Sequence, residues 1–379
     1  MKQPIRIIHS ADWQIGKQFG NIPGDAAAAV RLQRLTTVER IAQQAKELAV
    51  DAVLVAGDVF EHNGVADETL RRTVNAMSAY TGLWVLLPGN HDAALAESVW
   101  SRLQRLGLVS DNIHLAIRTE PIILCDQRLA ILPAPLMRRH ETRDLTAAFD
   151  QMITPPGAIR IGLAHGSVKN RLPERSEAYN EIADDRADRA RLDYLALGDW
   201  HGTLEIAPRT WYAGTPEPDR FRNNQPGNLL LVSFAETAEP TQVEVITCGH
   251  FQWTQLAVTL YQDEDIDALA HRLSAIDLPE RQLIRLQLSG SIDLAVKQRL
   301  DRVLEQWKAR FHHLEGRDSE LKINASQADI EQLGAQGFVR EAIEKLQHLA
   351  AQENSPDSDA AQLALQILYH QQQSLAEKS

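Results

Sequence analysis

Short apolar runs alternate with helical patterns over the first 250 residues of the chain. Apolar residues at i, i+3 and i+4 spacing predict helices over about 30–49, 67–80 and 95–107. The short apolar runs predict buried strands at 5–9, 52–56, 83–87, 112–117, 121–125, 128–132, 159–164, 194–197, 210–213, 228–234 and 241–247. Strands that alternate with helices are typical of an α/β fold.

The pattern changes near residue 250. Residues 252–325 predict a strand, a helix, a strand, a long helix and a strand, which together make a small α/β module. Beyond it the pattern is helical and polar, and a proline and an aspartate at 356 and 357 are well placed to begin a last helix near 358–377. We therefore divide the chain into segments 1–250, 251–325 and 326–379.

Composition narrows the class of protein. The 379 residues include 39 Lys and Arg against 51 Asp and Glu, a net charge of −12, which disfavours a protein that coats duplex DNA by neutralising its phosphates. A local cleft can still be basic. The two cysteines, Cys125 and Cys248, exclude a disulfide scaffold and a cysteine-rich zinc module. The chain shows neither an apolar leader nor a membrane-length apolar stretch, so we expect a cytoplasmic protein without a membrane span.

Polar residues follow the predicted strands in five places. In open α/β sheets, ligands bind beyond the carboxyl ends of the strands, so five such clusters predict one shared site. Carboxylates, imidazoles and amides are suitable ligands for divalent metals. Each cluster alone is an ordinary turn, and the prediction depends on all five occurring together. The clusters are 12–14, 57–61, 89–92, 164–166 and 198–201.

These clusters carry a family resemblance. The motifs HSADWQIGK, LVAGDVFEH, LPGNHDA, GLAHGSV, LALGDWHG and YAGTPEPDRF resemble those of calcineurin-like metallophosphoesterases, and most of all SbcD-type DNA nuclease subunits. The resemblance covers about residues 5–235, with a weaker similarity to the family's capping domain at 252–325. It implies a four-layer α-β-β-α sandwich, a small α/β capping domain and a helical C-terminal tail.

The resemblance also implies two divalent metal ions. By position, Asp58 would bridge the two metals. Asp12 and His201 would bind the first metal, and Asn90 and His165 the second. A water activated between the metals would then attack the phosphorus of a phosphoester.

Two further positions are implied to act on the substrate, and two depart from the family. His91 would protonate the leaving oxygen or stabilise charge beside the scissile phosphate, with Asp92 orienting its ring. Gln14 and Asp199 stand where the family has histidines. We expect both to remain metal ligands, because oxygen donors suit harder ions and favour Mn²⁺ over Zn²⁺. The alternative is a metal site that has decayed.

Several nearby residues have two interpretations. Trp13 and Trp200 are predicted to pack behind the metals, with stacking on bases as the alternative. His9 is predicted to be structural, and residues 212–220 to shape the cleft wall. Basic residues that follow strand ends are candidate phosphate contacts: Lys17, Arg138, Arg139 and Arg171.

The leading functional hypothesis is a metal-dependent DNA phosphodiesterase of DNA repair, an endonuclease or exonuclease that prefers single strands or ends. A small-molecule phosphodiesterase or phosphatase is the second hypothesis, and a binding subunit with weakened catalysis is the third. The resembling nucleases work with an SbcC-type coiled-coil ATPase, held by helices that follow the cap. Residues 326–379 would serve that role or cover an apolar face of this chain, and the sequence leaves both open.

Overall fold

A computed structural model describes residues 4–172, 180–235, 240–324 and 338–350, and within the tail residues 352, 357–358, 360–365 and 367–368. The chain divides into two compact units, residues 1–252 and 253–379. Each unit has its own sheet or sheets and its own buried apolar residues.

The first sheet of the first unit has six strands. They are β1 Ile5–Ser10, β2 Ala52–Val55, β3 Leu83–Leu86, β4 Ile113–Leu115, β11 Asn228–Phe234 and β12 Gln242–Thr247. Their order in the sheet is β12-β11-β1-β2-β3-β4. Strands β1 to β4 run parallel, while β11 is antiparallel to β1 and to β12. The parallel strands end at the same edge, because Ser10 lies opposite Val55.

The second sheet also has six strands. They are β5 Ile122–Leu124, β6 Leu129–Ala134, β7 Ile159–His165, β8 Tyr194–Gly198, β9 Leu204–Ala207 and β10 Thr210–Tyr212. Their order in the sheet is β5-β6-β7-β8-β10-β9. Strands β6, β7, β8 and β10 are parallel, and β5 and β9 close the two edges in antiparallel orientation. His165 lies opposite Gly198, so the ends of β7 and β8 are also level.

The two sheets pack face to face. Leu54 and Val85 of the first sheet share one buried cluster with Leu163 and Ala196 of the second. This middle layer is apolar on both faces, as expected where a sheet is covered on both sides. It fixes the distance between the two sets of strand ends.

Helices cover the outer face of the first sheet. Val38, Leu70 and Leu103 of these helices pack with Val53 and Leu86 of the sheet. The helices are α1 Gly24–Glu47, α2 Asp67–Met77 and α3 Val99–Arg105. Helix α1 begins earlier than predicted, since the alanine run that precedes residue 30 has high helix propensity.

The outer face of the second sheet has a thinner cover. Leu132 and Leu195 pack against Phe149 of a 3₁₀ helix, Leu145–Gln151, and a four-residue helix α4, Arg186–Arg189. The predicted four-layer α-β-β-α sandwich is therefore confirmed, with its fourth layer reduced to short helical pieces.

The second unit has the predicted order of strand, helix, strand, helix and strand. The elements are β13 Gln252–Leu260, α5 Asp263–Ser274, β14 Gln282–Asp293, α6 Leu294–Lys308 and β15 His313–Asn324. The three-stranded sheet has the order β13-β14-β15, and β14 and β15 are parallel. The boundary predicted at 325/326 falls within 325–337, outside the described residues.

The described part of the tail is helical and contacts this small module. Helix α7, Phe338–Ala350, places Ile343 in the apolar cluster of the module, and Leu365 lies in the same cluster. The tail therefore covers part of the module's own apolar face at these positions. Residues 369–379 lie outside the described part. None of the helices described here has the length and apolar character needed to cross a membrane.

Candidate metal centre

Polar side chains meet where the strands of both sheets end. Asp12 follows β1, Asp58 follows β2, Asn90 follows β3, His165 ends β7 and Asp199 follows β8. One ligand atom each from Asp12, Asp58 and His165 lies within 4.8 Å of the others, and all three residues are buried. The face-to-face packing of the two sheets brings together residues more than 100 positions apart.

The Asn90 amide lies against His165 and Asp58. His165 Nδ1 lies 2.8 Å from the Ala56 carbonyl oxygen, which can only accept, so Nδ1 carries the hydrogen and Nε2 presents a lone pair in the neutral ring. The Asn90 nitrogen, when it faces this side, donates to that Nε2 at 2.9 Å and to the two Asp58 oxygens at 3.3 and 3.2 Å. A half-turn of the amide presents its oxygen to the same point, beside the Asp58 carboxylate and the His165 imidazole. This donor set fits a divalent metal.

The electrostatics of the cluster support the same interpretation. Burial, together with the charges of Asp58 and Asp199, raises the pKa of Asp12 to about 8. Burial alone would lower the pKa of His165, but the nearby carboxylates raise it to about 9. Without an added cation, the cluster therefore keeps protons near neutral pH. A divalent ion would displace them, because metal binding requires the deprotonated ligands.

The backbone at these strand ends is strained. Non-glycine residues take a left-handed φ at Asp12 (54°), Gln14 (43°), Asp58 (53°) and Asp199 (103°). Such conformations persist where the surrounding structure enforces them, which often happens at functional sites. A side chain at Gly89 would place its Cβ 2.2 Å from Asp58 Oδ1, so only glycine lets this loop approach the carboxylate.

His91 lies beside the cluster, but Asp92 does not orient its ring as expected. His91 Nδ1 lies 2.9 Å from the Glu61 carbonyl oxygen, so it donates a hydrogen bond there. The buried Asp92 carboxylate instead accepts from the backbone amides of Phe60 at 3.0 Å and Gly89 at 2.7 Å. Asp92 thus joins the loops after β2 and β3, and the Glu61 carbonyl holds the imidazole.

The residues predicted for the first metal have other partners. Gln14 Oε1 accepts from Lys17 Nζ at 2.8 Å, and Gln14 Nε2 lies 3.2 Å from His201 Nε2. His201 Nδ1 lies 3.1 Å from Asp219 Oδ2, and Arg220 Nη2 is 2.9 Å from the same ring nitrogen. Burial lowers the pKa of His201 to about 4, so the ring is neutral near pH 7. In this arrangement, Gln14 and His201 do not fit as ligands of the first metal.

A buried arginine supports the site, and sequence reasoning missed it. Arg34 donates from Nε to the Trp13 carbonyl at 2.7 Å and from Nη2 to the Asp12 carbonyl at 3.3 Å. Its Nη1 donates to the Glu217 carbonyl at 3.1 Å, which ties the loop after β1 to a segment near residue 217. The available signal was the spacing of Arg34, four residues before Val38 on the apolar face of α1.

The sequence also predicted how three aromatic rings near the site are packed. Trp13 is buried and donates from Nε1 to Ser10 Oγ at 2.8 Å, so the packing interpretation is confirmed for this residue. Trp200 is half-buried and packs against the outer cluster of the second sheet. His9 is fully buried, with Nδ1 3.0 Å from Tyr194 Oη, which confirms its structural role.

The basic residues predicted to contact phosphate separate into two groups. Lys17 lies within the site. Arg138 forms an ion pair with Glu141 at 2.9 Å, and Arg171 lies 3.7 Å from Asp184. Arg139 accepts a long hydrogen bond at its carbonyl oxygen from Asn180. Contact with phosphate stays a prediction for all four residues.

Comparison with known proteins agrees with this geometry. The family model described as calcineurin-like phosphoesterase matches residues 5–253. The chain belongs to this family. The four-layer sandwich and its strand-end cluster lie within the residues that the family model matches.

The curated relatives of this phosphoesterase include repair proteins. It is 25% identical over 244 residues to a DNA double-strand break repair protein Mre11 from Methanopyrus kandleri, covering 57% of this chain and 50% of that one. A protein of the same name from Methanosarcina acetivorans is 24% identical over 322 residues, covering 77% and 47%. The SbcD component of the SbcCD nuclease of Rhodobacter capsulatus is 36% identical over 95 residues, covering 24% and 22%. The chain spans about half the length of these relatives or less.

Similarity to solved structures is weaker. A purple acid phosphatase from yellow lupin seeds aligns with a TM-score of 0.42 at 12% identity, covering 65% of this chain and 52% of that one.

Proposed function

We propose that this phosphoesterase is a metal-dependent DNA phosphodiesterase that acts in DNA repair and prefers single strands or ends. The observation that carries the proposal is the buried cluster of Asp12, Asp58 and His165, whose ligand atoms lie within 4.8 Å of one another beside His91. The similarity to Mre11 proteins and to a component of an SbcCD nuclease supports DNA as the substrate.

The metal would be held by Asp58, Asn90 and His165, with Asp12 and Asp199 close enough to complete the donor set. Oxygen atoms dominate this set, which favours Mn²⁺ among the biological divalent ions. A bound divalent ion supplies Lewis acidity to the phosphate and lowers the pKa of a bound water.

The chain's own residues orient the reacting groups. The backbone amide of His91 donates to Asp58 Oδ1 at 2.9 Å, so His91 is held next to the Asp58 carboxylate. Because Nδ1 of His91 donates to the Glu61 carbonyl, the protonated ring has only Nε2–H to offer to a leaving oxygen. Ser167 Oγ donates to Asp199 Oδ2 at 2.9 Å and fixes that carboxylate.

A partner ATPase of the SbcC type is part of the proposal. Leu363 and Ile367 are more than half exposed and are separated by four residues, the spacing of neighbours on one helix face. An apolar pair of this kind suits binding to a partner helix, whereas Leu365 lies in the module's own cluster. The cytoplasmic location stays a prediction.

The test uses one DNA sequence in three forms: an end-labelled single strand, a duplex and a sealed single-stranded circle. Each is incubated with Mn²⁺, Mg²⁺, Zn²⁺ or no added metal, beside Asp58→Ala and the matched control Asp111→Ala, an exposed carboxylate. Mn²⁺-dependent cutting that Asp58→Ala abolishes and Asp111→Ala retains is expected. Cutting of the circle identifies an endonuclease, and cutting of linear strands alone identifies an exonuclease.

A small-molecule phosphodiesterase is the competing function. A nitrophenyl phosphodiester and a cyclic nucleotide are therefore assayed in parallel. Turnover of these compounds without cutting of any DNA would contradict the proposal. Binding of DNA without hydrolysis of any phosphoester would indicate the binding subunit instead.

A further inference from the structure

Two permanent cations occupy the side of the site where the family resemblance implies the first metal. Lys17 Nζ lies 2.8 Å from Gln14 Oε1 and 2.9 Å from Asp219 Oδ2. Arg220 donates from Nε and Nη2 to the two oxygens of Asp219 at 2.9 and 3.0 Å. Asp219 has only 1% of its side chain exposed, so it is a buried anchor for both cations.

The atoms that would bind a metal here already have hydrogen-bond partners. The lone pairs of Gln14 Oε1 face the Lys17 ammonium. The Gln14 amide nitrogen donates to His201 Nε2, since His201 Nδ1 faces the Asp219 carboxylate and carries the ring hydrogen. Gln14 Oε1 and His201 Nε2, the two atoms that would bind a metal here, therefore already face donors of the chain.

The positive charges on this side of the site also disfavour a bound metal ion. An ion bound to Gln14 Oε1 at about 2.2 Å would lie within about 5 Å of the Lys17 ammonium. Arg220 Nη2 is also within 3.2 Å of His201 Nε2, the other ligand atom such an ion would need. A divalent ion would therefore meet two like charges at close range, beside the carboxylates of Asp219 and Glu61 that pair with them.

We propose that Lys17 and Arg220 take the place of the first metal, so that the protein binds one divalent ion and holds the substrate phosphate with these two side chains. The inference deepens the proposed function, because it assumes that a phosphoester is bound at this site. It departs from the expectation of two metals.

Both cations keep donors available for a phosphate. Among the described residues, two of the three Lys17 ammonium protons have partners, and Arg220 Nη1 has none. The side chains of Lys17 and Arg220 are 22% and 38% exposed, so these donors are accessible from the cleft. Arginine and lysine donors of this kind form charge-assisted hydrogen bonds to phosphate oxygens.

The first test counts metal ions and does not depend on activity. The full-length protein is stripped with a chelator, dialysed against Mn²⁺ and analysed for bound manganese, and its electron paramagnetic resonance spectrum is recorded. One ion per chain with the spectrum of an isolated Mn²⁺ is expected. Two tightly bound ions with a spin-coupled spectrum would overturn the proposal, and so would a chain that binds none.

The second test measures binding of inorganic phosphate to the Mn²⁺-loaded protein by calorimetry. Lys17→Met and Arg220→Met are each expected to weaken phosphate binding ~10-fold, the usual loss for one charge-assisted hydrogen bond. Their manganese content should stay at one ion per chain. The matched controls are Lys46→Met on α1 and Arg71→Met on α2, both exposed, and these should bind phosphate like the parent protein.

Unchanged phosphate affinity in Lys17→Met and Arg220→Met would overturn the phosphate-binding role. If either variant fails to fold, the manganese count of the parent protein still decides whether a second metal is present. Neither measurement uses DNA. Failure to cut DNA, with one bound ion and cation-dependent phosphate binding, would therefore refute the proposed substrate and leave this inference standing.

Discussion

The two halves of the strand-end site differ in how their polar atoms are satisfied. Around Asp12, Asp58 and His165, the ligand atoms of two carboxylates and an imidazole lie within 4.8 Å of one another. Around Gln14 and His201, acceptors face donors that the chain supplies from Lys17 or the amide itself. Residues at motif positions of a metal-binding family can therefore form a cation site in one half and a closed hydrogen-bond network in the other.

The difference lies in the chemistry of single positions. A carboxamide oxygen can bind a metal or accept from an ammonium, and its surroundings decide which. Asn90 faces the Asp58 carboxylate and the His165 imidazole, which are themselves metal-binding groups. Gln14 faces Lys17, which already is a cation. Substitutions in either half test this contrast, from the largest expected effect to the smallest.

Removing charge from the metal half should have the largest effect. Asp58→Asn keeps the shape of the side chain but removes an anion next to Asn90 and His165. We expect manganese binding to be lost and phosphodiester hydrolysis to fall by about 1,000-fold, since metal activation contributes several kcal/mol. Manganese content and initial rates measure both effects. Full manganese occupancy in Asp58→Asn would contradict the assignment, and Asp111→Asn serves as the control for a lost surface charge.

The half of the site around Gln14 and His201 should become a metal site when its cations are removed and a ligand is added at position 14. Gln14→His combined with Lys17→Ala and Arg220→Ala supplies a ring nitrogen and removes both the ammonium 2.8 Å from Gln14 Oε1 and the guanidinium 3.2 Å from His201 Nε2. We expect manganese content to rise from one ion to two per chain. Gln14→His alone should stay at one ion, because the ammonium remains. A second ion in that single variant would show that Lys17 does not exclude metal.

The arginine behind the site should contribute stability. Arg34→Met removes hydrogen bonds to the carbonyl oxygens of Trp13, Asp12 and Glu217, which would be left buried. We expect the free energy of unfolding to fall by about 3 kcal/mol, as for other broken buried networks. Denaturant titration measures the change. Arg72→Met removes an exposed arginine on α2 and should change the free energy of unfolding little. Equal effects of the two variants would indicate that Arg34 does not stabilise the contact between the two loops.

Protonation of His9, which lies outside both halves of the site, should lower the free energy of unfolding by a smaller amount that depends on pH. Burial lowers the pKa of its ring to about 3, below the value of 6.5 expected in the unfolded chain. The unfolded state therefore takes up the proton first, and stability falls as pH drops below 6.5 towards 3. This one group should remove about 2 kcal/mol of the free energy of unfolding between about pH 7 and 5.

The measurement compares acid unfolding of the parent protein with that of His9→Gln. The variant should lose stability less steeply over the same pH range. Parallel curves would mean that another group causes the acid sensitivity. Recording manganese content over this range separates loss of metal from loss of the fold.

Most of the strands, and the polar clusters that contain Asp58 and Asn90, could be predicted from local sequence. Strands were predicted because buried runs such as 52–56 and 83–87 are apolar and are followed by glycine within two residues. Strand β9 and the 3₁₀ helix Leu145–Gln151 were missed, since neither has a clear apolar period. Asp58 and Asn90 lie in polar clusters that follow predicted strands, and the family resemblance then assigned them as ligands.

The hydrogen-bond network around Gln14 and His201 could not be predicted from the sequence. Lys17 and Asp219 are separated by 202 positions, and their ion pair exists only because α1, β1 and the loop before β11 fold together. Asp92 was assigned to its neighbour His91, but its carboxylate turns to backbone amides from two loops. Sequence adjacency predicts proximity along the chain and does not predict the direction of a side chain.

The sequence by itself determined which chemical groups follow each strand, because strand periodicity and chain order place residues at sheet edges. It also determined the family through the same motifs. The tertiary structure alone decided which acceptors face one another and which face a cation. That choice depends on distances of about 3 Å between residues far apart in sequence, where Coulomb interactions and hydrogen bonds act and local pattern carries no information.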